Sequence, residues 1–192
     1  MKQVDHRALA RLFLQYPDRR FWRSSCHRGA FYIGHLLPDF NPFTYLRGIR
    51  QSHGMKGHDA AHRREYVLRA SARLERKSRL GLWDFYRLGT LLHYTADAFT
   101  WVHNGGADRP MEEHRAYEKR LHVSFAALLV RRGRDPIVPT AYAREAYLTL
   151  WKDAEQSIAD PVRDGEQILQ ACRELFSFVL WSVFLEKNKK RT

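Results

Sequence analysis

The sequence predicts an all-α protein, a single-domain bundle of about seven helices, and three observations carry that prediction. Apolar residues recur at helical spacing along most of the chain, with no alternation of period two long enough to commit to a strand. Glycine and proline divide the chain into segments of helical length, and no internal repeat is visible. At 192 residues, 44% hydrophobic and 13% aromatic, the chain can bury one substantial core and does not read as disordered.

Residues 5 to 15 form an amphipathic helix with Ala8, Leu9, Leu12 and Phe13 along one side, ended by Tyr16, Pro17 and Asp18. A second helix starts at about Ser25 and turns Ala30, Phe31, Ile33 and Gly34 towards the core. Pro38 and Pro42 bracket Asp39, which predicts an irregular turn there, because a residue before proline avoids the helical region. Residues 43 to 60, with Gly48, Gly54, Gly57, His53 and His58, suggest no clear element. From Ala60 to about Lys77 runs a charged helix, His62 included, whose Tyr66, Val67, Ala70 and Leu74 make a narrow apolar stripe.

Gly81 separates that helix from the apolar run LLHYTADAF, which closes past His103 at an Asn-Gly-Gly turn. A helix from near Pro110 continues beyond Glu118 through His122, Phe125, Ala126 and Leu129. RRGRDPIVPT is a loop, and Ala141 to about Ile158 and Gly165 to Lys187 are the last two helices. The apolar run LFSFVLWSVFL in the second is too short for a membrane span and is broken by serines, so it reads as core. KNKKRT is a solvated basic tail.

The chemistry concentrates between Leu88 and Glu118. His93 and Asp97 are four residues apart, as are His114 and Glu118, so on helices each pair projects from one face, one turn apart. His103 lies between them. Imidazole together with carboxylate suits a borderline divalent ion such as Zn²⁺, whose catalytic sites keep a position open for water. One such pair is more often a hydrogen-bonded core histidine with an acidic neighbour; two pairs with a histidine between them favour a metal. His122 extends the face of His114 and Glu118 by a turn, as an extra ligand or, preferably, as a partner behind the ligands or a surface residue.

The order His93-x3-Asp97-x5-His103, followed by His114-x3-Glu118, resembles the zinc-dependent phospholipase C family, which shares its all-helical fold with single-strand-specific zinc nucleases. FYIGHLLPDF at residues 31 to 40 is similar to the family segment in which a Pro-Asp supplies a ligand, here Asp39. His53 follows at a compatible distance, with His58 as the fallback, and His6 stands where the family opens its first helix with a histidine. The motif-bearing part covers residues 5 to 125, and the helices over 141 to 187 complete the core of one domain, 1 to 192.

The resemblance implies two or three Zn²⁺ ions. Asp39, His53, His93 and Asp97 would hold one, with Asp97 able to bridge; His103, His114 and Glu118 would hold another. The third ion of secreted members takes an N-terminal tryptophan and the early histidine. This chain begins MKQVDHR, so His6 would need another partner such as Asp5, or would only cap a helix. Asp39 is the implied general base in metal-assisted hydrolysis of a phosphodiester. Tyr94, Phe99 and Trp101 could contact the alcohol portion of a substrate but are equally explained as core.

A formal net charge of +12 attracts polyanions such as an anionic membrane surface, nucleic acid or phosphorylated metabolites, unless it reflects only arginine-rich usage. Cys26 and Cys172 are too few for a disulfide framework and read as small buried apolar residues. The first twenty residues lack the continuous apolar run of a signal peptide, which predicts a cytoplasmic protein. Three functions follow from these readings: a phospholipase C-like hydrolase, a nuclease with the same metal chemistry, and a non-catalytic helical domain whose zinc serves folding. The oligomeric state is not legible.

Overall fold

The computed structural model describes residues 1–18, 20–40, 60–103, 110–154 and 159–189. Among them are seven α-helices and no strands. In chain order they are α1 (Gln3–Leu14), α2 (Ser25–Phe40), α3 (Ala60–Glu75), α4 (Leu82–Ala98), α5 (Met111–Arg132), α6 (Ala143–Ala154) and α7 (Pro161–Lys189), with a 3-10 turn at Trp101–His103 after α4. The all-α bundle of about seven helices is the architecture observed. No helix is long and apolar enough to cross a membrane, within the described residues.

Local chemistry sets the helix starts. Asp84, at the third position of α4, accepts a hydrogen bond from the N–H of Gly81 at 3.0 Å, while Lys77 donates to the same carboxylate at 2.6 Å. Asp160 caps α7 by accepting from the N–H groups of Val162 and Arg163, and Pro161 occupies the first helical position, where its missing N–H costs nothing. Those two residues begin α7 at Pro161, one turn before the Gly165 expected from its apolar pattern. In α5, Glu112 and Glu113 lie in the first turn and Arg131 and Arg132 in the last, each sign favoured by the helix dipole.

Helix α7 lies against α3, α4, α5 and α6, and its Leu175, Phe176, Val179 and Leu180 are buried. LFSFVLWSVFL is therefore core. An aromatic cluster of Phe13, Phe21, Trp22, Phe31, Phe85 and Phe176 joins α1, α2, α4 and α7. Three expectations about burial are corrected. Ile33 is 54% exposed, because Phe31, Gly34, His35 and Pro38 form the inner face of α2 and Ile33 falls opposite them. Tyr66 is 47% exposed beside buried Val67 and Leu74, and Cys26 is exposed, leaving only Cys172 in the core.

The closest helix crossing, α2 on α4, is the one that builds the site. Gly34 lies against the backbone of Tyr86, and Gly89 against Phe31 and His35. A Cβ added at Gly34 would stand 2.8 Å from the carbonyl carbon of Tyr86, and one at Gly89 would stand 2.7 Å from the nitrogen of His35. Pro38 lies inside α2, and Asp39 follows it on the last helical turn, not on the loop expected from the prolines. Proline removes the N–H that would bond the carbonyl of Gly34 four residues earlier. The hydroxyl of Thr90 lies 3.1 Å from that carbonyl and 3.1 Å from the carbonyl of Tyr86 in its own helix, so its single proton is shared between the bond the proline withholds and the i−4 bond of α4.

Gly34→Ala and Gly89→Ala should each destabilise the protein by about 1–3 kcal/mol through overpacking against backbone, although alanine is ordinarily the better helix former. Gly29→Ala, with nothing within 4 Å of the added carbon, should be neutral or stabilising by up to about 1 kcal/mol. Urea denaturation of the three variants checks the contrast. Thr90→Val keeps shape but removes the hydroxyl from both carbonyls, and in the same assay should cost about 1–3 kcal/mol.

Candidate metal centre

His6, Asp39, His93 and Asp97 converge on one point, with one donor atom from each lying within 4.8 Å of the others. They come from three helices: His6 from the second turn of α1, Asp39 from the end of α2, and His93 and Asp97 from adjacent turns of α4. His6, His93 and Asp97 are buried, and Asp39 keeps a side chain 30% exposed at the solvent edge.

The α2–α4 crossing fixes the orientation of His93. Its Nδ1–H donates to the carbonyl of His35 at 2.9 Å, which turns Nε2 towards the carboxylates of the cluster. That nitrogen stands 3.5 Å from Asp39 Oδ1 and 3.3 Å from Asp97 Oδ2. His6 stacks on His93 with ring centroids 4.0 Å apart, and its Nε2 is 3.1 Å from Asp97 Oδ1. Burial, then the neighbouring His93, pushes His6 down to about 3, so its imidazole is neutral near physiological pH. The donor set, neutral imidazole and carboxylate around a largely buried point, fits Zn²⁺.

Asp97 is the hub. Besides His6 and His93 it meets the amino nitrogen of Met1 at 3.2 Å, and His103 Nε2 at 3.9 Å. Burial alone would raise its pKa, but the Met1 amine, His93 and His6 together hold the carboxyl well below its ordinary range. The Met1 nitrogen also lies 3.4 Å from Glu118 Oε1; burial disfavours its charge, and the two carboxylates more than offset that, so its pKa is raised.

The other expected ligands flank this cluster. His103 ends the 3-10 turn, within reach of Asp97. Glu118 and His114 lie one turn apart on α5, both half-buried, and Glu118 joins the cluster through the Met1 nitrogen. The turn that carries His103 is tied to α7, because the N–H of Trp101 donates to Asp164 Oδ2 at 2.8 Å and the hydroxyl of Tyr117 donates to the same oxygen. His53, His58 and the Asn-Gly-Gly turn lie outside the described residues.

His6 is a buried residue within α1 and not its cap. Asp5 Oδ1 accepts from His122 Nδ1 at 2.6 Å and joins α1 to α5, while its Oδ2 is buried without a hydrogen-bond partner. Of the aromatics, Phe99 is buried against Trp151, while Tyr94 and Trp101 are half-buried. Two contributors escaped the reading of the sequence. His35, fully buried, has its ring 5.5 Å from that of His6 and 6.0 Å from that of His93. It precedes Asp39 by four residues, the spacing of His93 and Asp97, and that signal was available. The Met1 nitrogen, a backbone group, leaves no mark in residue type.

A search of curated proteins and a search of solved structures each returned no match. A sequence model of one family, described as zinc dependent phospholipase C, matches residues 5–174 and so spans every residue of the cluster. With an all-helical fold and a His/Asp cluster that can hold a metal ion, this chain belongs to the zinc-dependent phospholipase C family.

Proposed function

We propose that this protein is a zinc-dependent hydrolase of phosphodiesters, with a phospholipid as substrate. The observation that carries this reading is the convergence of His6, Asp39, His93 and Asp97, each offering one donor atom within 4.8 Å of the others. His6, Asp39, His93 and Asp97 would hold one zinc ion, with His53 a further candidate ligand. Asp97 would bridge to a second position lined by His103, His114 and Glu118. When bound, zinc would supply charge to neutralise phosphate oxygens and to make a coordinated water acidic near neutral pH.

The chain's own groups divide the remaining work. Asp97, buried and held ionised, sets the spacing of the donors around it. Asp39, with an oxygen at the solvent edge, is the group able to orient an attacking water and accept its proton. His93, locked by the His35 carbonyl, keeps its lone pair inward. The surplus of 12 positive charges favours approach of an anionic phosphodiester.

Elemental analysis of protein purified without a metal-affinity tag should find two or three zinc ions per chain, the number implied by the family resemblance. His93→Ala and Asp97→Ala should each lower that content and reduce turnover of a phosphatidylcholine-like diester by more than about 100-fold, since loss of a ligand exceeds the loss of its outer partner. Single-stranded DNA and a phosphomonoester assayed beside it test the substrate class. Bound zinc with turnover of none of the three would leave a metal-stabilised, non-catalytic domain.

Chelation offers a second check. If the ion is present at about 1,000 times its dissociation constant, removing it should lower the thermal midpoint by roughly 10 °C. A midpoint indifferent to chelator, in protein that takes up no added zinc, would sink the hydrolase reading.

A further inference from the structure

His35 is an odd residue to find at the centre of this fold. It is fully buried beside Phe31, where an apolar ring would fit, and its Nδ1–H donates to the carbonyl of Gly89 at 3.2 Å. Its Nε2 is therefore a lone-pair acceptor, and that acceptor has no hydrogen-bond partner. His6 carries a second buried nitrogen in the same condition, Nδ1, on a ring whose centroid is 5.5 Å away and edge-on.

The two conditions have one explanation. In the arrangement seen, Nε2–H of His6 donates to Asp97 Oδ1 at 3.1 Å, which leaves Nδ1 of His6 as a lone pair. Two acceptors cannot bond each other. Coordination of an ion through Nε2 changes this, because the single ring proton must then reside on Nδ1. The ring stays neutral, no proton is gained or lost overall, and the ring edge-on to that of His35 now carries a donor at Nδ1.

We propose that His35 is a positioning residue for the metal centre: it receives the Nδ1–H of His6, directly or across one water, in the tautomer that metal coordination requires. The inference rests on the reading of His6 as a ligand. The helix crossing would then orient both imidazoles of the cluster from behind, His93 through the backbone carbonyl of His35 and His6 through its side chain. A complementary bond present only in the loaded state raises metal affinity without adding to the stability of the metal-free protein.

The experiment is long-range ¹H–¹⁵N correlation of the histidine rings in metal-free and zinc-loaded protein, together with zinc affinity by chelator competition for the parent, His35→Phe and His35→Gln. In the parent, the proton of His6 should move from Nε2 to Nδ1 on loading. His35→Phe should weaken zinc binding by about 10–100-fold, more than the metal-free stability it loses with the Nδ1–Gly89 bond accounts for, and His35→Gln, which retains an acceptor, should recover part of that affinity.

Zinc affinity of His35→Phe within about twofold of the parent would overturn the proposal, as would equal losses of affinity in His35→Phe and His35→Gln that follow their losses of metal-free stability, the mark of a packing role. His6 signals untouched by zinc would remove His6 as a ligand and the proposal with it. A tautomer shift in the parent with no effect of His35 would overturn the proposal alone.

Discussion

How closely α2 approaches α4 decides whether a metal centre can exist in this protein. Helix axes ordinarily stay 8–10 Å apart because side chains separate them. Here Gly34 and Gly89 remove the side chains at the crossing, and backbone meets backbone. Three polar links depend on that proximity: Thr90 to the Gly34 carbonyl, His35 to the Gly89 carbonyl, and His93 to the His35 carbonyl. The last determines which nitrogen of His93 turns inward, so a property of two residues without side chains sets the orientation of a third.

Around that crossing the centre is assembled from groups that are costly to bury. Isolated buried carboxylates and imidazoles avoid charge, and Asp97 keeps its own only because amine and imidazole surround it. The pair of Asp5 and His122 and the buried Asp164 serve a different purpose, tying α1 to α5 and the His103 turn to α7. These bonds place the His103 turn and α5 relative to the deeper cluster, although Asp5 Oδ2 and Asp164 Oδ1 are buried without a hydrogen-bond partner.

Reading the sequence recovered the fold and most of the helix boundaries because both depend on local pattern. Apolar spacing and glycine or proline punctuation are one-dimensional signals. The His-x3-Asp and His-x3-Glu pairs were equally legible, since a helix turns fixed spacing into a shared face. Asp39 was found but misplaced onto a loop, because Pro38 forbids a helical hydrogen bond only if no other donor reaches Gly34; Thr90, 56 residues away, does so. His35 was overlooked because phenylalanine, glycine and leucine surround it in sequence and its partners belong to α1 and α4. The Met1 nitrogen was invisible in principle.

The donors of the cluster lie far apart along the chain: His6 meets Asp97 across 91 residues, and His93 meets the carbonyl of His35 across 58. Contacts of that range form only after loops of comparable length have closed, which is entropically slow. The donors therefore stay scattered along the chain until the N-terminal helices have met α4. A metal acquired at that stage would lock an architecture already built, unlike the ion of a zinc finger, which creates the architecture around itself.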